Sequence, residues 1–178
     1  MKNILLIYLI TLLYLVSSPC WSQRFGIPEA GIVFNAPDGF TQLSAGEIAL
    51  KYPSNRAPAF VVGNKKRTTT IAYDLKPDKL SVERIPEIKA SFEQIFERII
   101  PGIEWKKREI IEFQNKKWIY FEMTSHAIDT DIYNIMLITF LKEKMLVLNF
   151  NSTTREFPKI EASLRKSIQS IEFTEEGM

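Results

Sequence analysis

Residues 103–150 read IEWKKREIIEFQNKKWIYFEMTSHAIDTDIYNIMLITFLKEKMLVLNF, and this stretch decides the fold. Its apolar residues recur with period two, the spacing at which side chains of an extended chain share a face. Trp105 to Phe113 reads as a strand, with a turn at Gln114, Asn115 and Lys116. Lys117 to Ala127 follows, with Ile119, Phe121 and Met123 on its apolar face and Trp118, Tyr120, Glu122, Thr124 and His126 on a mixed one. Asp129 and Thr130 mark the next turn. Ile132 to Leu141 is apolar on both faces, as a central strand covered from two sides must be. Lys142, Glu143 and Lys144 turn the chain again into Met145 to Phe150. Four strands joined by short turns make an antiparallel meander.

Helical spacing brackets this meander. Before it, Ile85, Ile88, Phe92, Ile95 and Ile99 recur at steps of three and four, with Phe96 beside them, while Glu87, Lys89, Glu93, Glu97 and Arg98 take the wet face. Pro86 fits a first helical turn, where its missing N–H costs little. Pro101 and Gly102 end the helix. After the meander, Phe157, Ile160, Leu164, Ile168 and Ile171 form a second stripe, with Glu161, Arg165 and Lys166 outward. Nearer the N-terminus, Ile32 to Phe34, Glu47 to Tyr52, Ala59 to Val62 and Thr68 to Leu75 read as strands. Pro37-Asp38-Gly39 turns the chain, and Gly63-Asn64 suits a turn with positive φ. The fold class expected is therefore α+β: a single domain over residues 23–178, a twisted antiparallel β-sheet with two main helices packed on it.

Residues 1–22 read as a secretory signal peptide. Lys2 supplies a positive charge, Ile4 to Val16 an apolar run, and Ser17 to Ser22 a small-residue ending. Cleavage after Ser22 would leave Gln23 as the first residue of an exported chain, periplasmic or secreted. Cys20 stands where a lipid-attachment cysteine would. Pro19 replaces the small residue that normally precedes one, so Cys20 is expected to leave with the peptide, and a membrane tether follows only if Cys20 is lipidated. Without it the chain has no cysteine and no disulfide framework. The formal charge of +2 falls to +1 when Lys2 is removed, which implies no general attraction to nucleic acid.

The order of elements resembles that of the PsbP-like superfamily, which includes photosystem extrinsic proteins and DcrB-like bacterial envelope lipoproteins. The resemblance rests on Phe34-Asn35-Ala36-Pro37-Asp38-Gly39-Phe40, on the helix that ends at Pro101-Gly102 before a meander, and on a last helix followed by Ile171-Glu172-Phe173. It implies a non-catalytic protein that binds or escorts another envelope or secreted protein, with no shared catalytic residues.

The residues themselves offer little chemistry. His126 is the only histidine, and its neighbour Ser125 points to the opposite strand face, so the two cannot act as nucleophile and base. Asp129, Asp131 and Glu122 do not have calcium-loop spacing. One histidine and no retained cysteine supply no zinc site, and no cofactor is expected. Gly63 to Thr68 lacks the spacing and following helix of a phosphate loop. Glu109 and Glu112 face opposite ways on a regular strand. Asn151-Ser152-Thr153 matches a glycosylation acceptor and reads as a polar loop. Binding candidates remain. The basic clusters Lys65-Lys66-Arg67, Lys106-Lys107-Arg108 and Lys116-Lys117 would form one positive patch if their strand ends converge. Trp118 and Tyr120 would form a recognition patch if their face is open, and are core if a helix covers it. A small-molecule or lipid carrier, with a pocket between sheet and helix, is the second functional class these residues permit.

Overall fold

A computed structural model describes residues 22–52, 57–77, 82–127, 129–141 and 144–174. The signal-peptide and Cys20 expectations lie outside these residues, apart from Ser22. Among the described residues, ten strands and three α-helices follow in the order β1 (Gln23–Ile27), β2 (Ile32–Ala36), β3 (Thr41–Gln42), α1 (Ala45–Lys51), β4 (Phe60–Gly63), β5 (Thr69–Pro77), α2 (Ile85–Ile99), β6 (Glu104–Phe113), β7 (Lys116–His126), β8 (Asp131–Leu141), β9 (Lys144–Thr153), α3 (Phe157–Gln169) and β10 (Glu172–Phe173).

The meander is present as expected, β6 to β9 pairing in sequence, and β5 adds to its far side. The main sheet is antiparallel throughout and runs β3-β4-β5-β9-β8-β7-β6. A second sheet, β1-β2-β10, is not separable in the sequence because β1 and β10 are short and β10 pairs with β2 across almost the whole chain.

The two faces of the main sheet are covered differently. On face 1, α3 and the small sheet bury one continuous core. Ile71, Trp118, Ile135, Leu137, Leu146, Leu148 and Phe150 from the sheet meet Ile27, Ile32, Phe34, Phe157, Leu164 and Ile168. Each fully buried side chain of this size contributes about 1.5–3 kcal/mol. Tyr133 stacks on Phe157 with ring centroids 3.6 Å apart. Face 2 carries two separate clusters. Under α2 lie Ile85, Ile88, Ile119, Phe121, Met123, Ile138 and Phe140. Under α1 lie Leu43, Val61 and Ala72 with Ile48 and Tyr52.

The strand expected at Glu47 to Tyr52 is instead helix α1. Ser44 caps it: Glu47 N–H donates to Ser44 Oγ, and Glu47 Oε2 accepts from Ser44 N–H at 2.8 Å. This reciprocal box satisfies two orphan donors and outweighs the local alternation. Gly63 lies within β4, and the positive φ of that hairpin falls on Arg67 at 57°. The strand read as ending at Phe150 continues to Thr153, which places Asn151 in the sheet and not in a loop. Arg165 turns inward, and Ile95 and Ile99 leave the buried stripe of α2, 37% and 48% exposed. The joint between α2 and β6 is tight. Gly102 has φ of 59°, and a Cβ there would lie 1.9 Å from the His126 ring.

Candidate functional site

The sheet order separates the basic clusters. Lys65, Lys66 and Arg67 sit in the β4–β5 turn, while Lys106, Lys107 and Arg108 sit on edge strand β6, with β9, β8 and β7 between them. They do not form one patch. Arg67 also serves the fold: its guanidinium donates to Glu47 Oε1 at 2.8 and 3.1 Å and to the oxygens of Thr41, Gly63 and Asn64. Arg108 lies over the Trp105 ring and near Glu93 and Glu97 of α2.

Trp118 and Tyr120 are core residues, 0% and 8% exposed. Trp118 donates its indole N–H to Phe113 O at 3.0 Å and packs against Phe173. The face that would make them a recognition patch is closed by α3 and β10.

Beneath α3 sits a buried ionic clasp. Glu122, 2% exposed, accepts from both arms of the Arg165 guanidinium at 2.8 and 3.2 Å, from Tyr133 O–H at 2.6 Å and from Tyr120 O–H. Arg165 also reaches Glu161 at 2.7 Å. Burial alone would raise the Glu122 pKa; hydrogen bonds from Arg165 and the two tyrosines outweigh it and hold the carboxyl at about 2. Burial, and then hydrogen bonding to Glu122, push both tyrosines upward. Every oxygen of Glu122 is satisfied, so the clasp ties α3 to the sheet and leaves nothing for a ligand. This also removes Glu122 from any grouping with Asp129 and Asp131. Among the described residues no three His, Cys, Asp or Glu side chains come within reach of one metal ion. His126 pairs with Asp131 through Nδ1 at 2.7 Å.

The incomplete surface is on face 2, between α1 and α2. Asn149 stands opposite Ala72 of the α1 cluster on one side and Met136 of the α2 cluster on the other. Asn151 lies directly between Asn134 and Thr70 in the same way. These three asparagines, with Met136 and Val147, are only half-buried, although they occupy central strands whose opposite face is sealed. Asn151 Nδ2 donates to Asn134 Oδ1 at 2.8 Å. Asn149 Oδ1 is buried yet has no hydrogen-bond partner among the described residues. A buried unpaired acceptor costs about 1–3 kcal/mol, so it is uncommon without a reason.

Helix phase supplies the wall of this strip. Glu93 and Glu97 reach back to Arg108 and Trp105 on the edge strand. The opposite flank of α2, carrying Ser91, Ile95 and Ile99, therefore turns toward the centre of the sheet. A cleft of about 240 Å³ runs along it, lined by Arg84, Glu87, Ile88, Ser91, Phe92 and Ile95. The candidate groove of face 2 thus has two parts: the strip of half-buried asparagines on the sheet, and this cleft, which α2 and Arg84 alone line. The signal for it in the sequence is three asparagines interrupting the apolar strands 131–141 and 144–153, since a polar side chain in a central strand is the informative exception. Reading Asn151 as a loop residue concealed it.

No helix among the described residues is long and apolar enough to cross a membrane. No family model and no curated protein sequence matches the chain. Solved structures do. Cyanobacterial PsbP (CyanoP) from Synechocystis superimposes with a TM-score of 0.62 at 10% identity, over 89% of this chain and 95% of that one. LpqN, described as involved in cell envelope biogenesis of Mycobacterium tuberculosis, gives 0.54 at 12% identity, over 89% and 87%. A Bacteroides thetaiotaomicron protein gives 0.57 at 13% identity over 88% of this chain, which spans 50% of its length. The chain has a PsbP-like fold, as the resemblance of its element order implied.

Proposed function

We propose that this chain is an exported, non-catalytic accessory protein of the cell envelope that binds another protein through the groove on face 2. One observation carries the reading: among the described residues, a sheet sealed on one face leaves the other only half-covered along a strip of asparagines, while Ile95 and Ile99 of α2 on that face are exposed. An aliphatic wall beside paired hydrogen-bonding groups is the usual make-up of a protein-recognition surface. The apolar opening of the sequence, and the envelope role stated for LpqN, support an extracytoplasmic location.

A photo-crosslinking residue at Ile95 of the full chain, expressed in its own cells, tests this. The expected result is one discrete heavier adduct in the envelope fraction, abolished by Asn149→Leu and absent when the probe sits at Lys159 on α3. Failure to form any adduct, or native mass spectrometry of the extracted protein showing a bound small molecule in the groove, would favour the carrier reading instead. Mass analysis of the mature N-terminus separates Gln23 from a lipidated Cys20.

A further inference from the structure

We infer that β6 is a self-complementary edge through which two copies of this chain pair, extending the sheet across a two-fold axis at Ile110. The main sheet has two edges, and they differ. One is β3, only two residues long; the other is β6, ten residues long, hydrogen-bonded to β7 on one side only. β6 contains no proline or glycine to blunt it. A bulge at Lys106 interrupts its register, so the regular run is Lys107 to Phe113, whose midpoint is Ile110.

Charge then selects a register. Directly opposed residues of antiparallel strands share a face. Lys107, Glu109, Ile111 and Phe113 lie on face 1; Arg108, Ile110 and Glu112 lie on face 2, as their pairing with β7 fixes. An axis at Arg108, Glu109 or Glu112 sets a like charge against itself. An axis at Ile111 sets Ile110 against Glu112 and makes no ion pair. Only the axis at Ile110 sets Arg108 against Glu112 of the second copy, twice, around an Ile110–Ile110 contact. Ile110 is 41% exposed in the single chain, an aliphatic side chain amid a charged edge. The same charges that repel a foreign or misregistered strand fit their own copy in one arrangement, which is how edges combine protection with specificity. Arg108 lies over the Trp105 ring, and its contacts to Glu97 and Glu93 are long, 3.5 and 3.8 Å, so a closer carboxylate from the second copy would improve its ion pairing.

The test is sedimentation of the purified protein across a wide dilution series, on the parent, Arg108→Glu, Glu112→Arg and the double variant, each with an unchanged thermal transition. The parent is expected to dimerise. Each single variant turns two attractions into repulsions and should weaken association by about tenfold or more. The double variant restores the pairing with its charges exchanged and should recover it. In a Cys20→Ser background, Ile110→Cys should oxidise to a covalent dimer, since opposed Cα atoms about 4.5–5.5 Å apart suit a disulfide. A chain that stays monomeric throughout, a dimer indifferent to both reversals, or a double variant no better than the singles would overturn the proposal.

Discussion

Faces 1 and 2 belong to the same strands, yet they obey different rules. Along β8 and β9, Ile135, Leu137, Leu146, Leu148 and Phe150 point to face 1 and vanish under α3 and the small sheet. Their immediate neighbours Asn134, Met136, Val147, Asn149 and Asn151 point to face 2 and stay half-exposed. Even the charge on face 1, Glu122, is fully partnered, whereas a neutral amide on face 2 is left without a partner. Face 1 is one continuous core, whereas face 2 has two cores, under α1 and α2, with a half-buried strip between them.

The comparison can be broken by mutation, and the largest effects should come from face 1. Leu164→Ala empties a site at the centre of α3 and should cost about 2–5 kcal/mol in urea unfolding. Arg165→Met strands Glu122 in a buried position. It should cost about 3 kcal/mol, toward the lower end for a broken buried pair because the arginine is one-third exposed.

The clasp also predicts a pH dependence. Glu122 titrates near 2 in the folded chain against 4.5 as its ordinary value. Its contribution is thus complete above 4.5 and disappears as pH falls through 2. Stability of the parent should fall across that interval, and Glu122→Gln should flatten this part of the profile in acid-dependent unfolding measurements.

A smaller effect belongs at the joint between α2 and β6. Gly102→Ala combines a left-handed backbone with a clash against the His126 ring. It should lower stability by about 1–3 kcal/mol, with part of the loss recovered in Gly102→Ala/His126→Ala by thermal denaturation. Smallest of all, Ile95→Ala and Ile99→Ala should each change stability by less than about 1 kcal/mol, because both side chains are already exposed. A loss matching that of Leu164→Ala would mean that the groove wall is ordinary core.

These differences explain which parts were legible in the sequence. Period two in β6 to β9 and the two helical stripes are set by which residues must avoid water, and they appear at the expected positions. Helix α1 was hidden because seven residues give too little periodicity, although Ser44 and Glu47 carried its capping signal. The stripe of Leu164 and Ile168 places Arg165 on the helix flank, and only the distant Glu122 decides which way a flank residue turns. Ile95 and Ile99 fit the spacing of the buried stripe yet are exposed for the converse reason: helical spacing gives a face, not the width of the sheet beneath it. Convergence of the basic clusters depended on strand order, which local pattern does not encode. The groove could have been suspected from its three asparagines, but the unpaired Asn149 carbonyl emerges only when β5, β9 and β8 are set side by side.

The most direct test of the division between faces is Asn149→Leu, measured for both unfolding free energy and crosslinking from Ile95. If face 2 is held open for a partner, the variant should be as stable as the parent or more stable by about 1 kcal/mol, since it removes an unpaired buried acceptor, while the partner adduct is lost. A variant that unfolds several kcal/mol more easily, or that keeps its adduct at parental yield, would contradict the account.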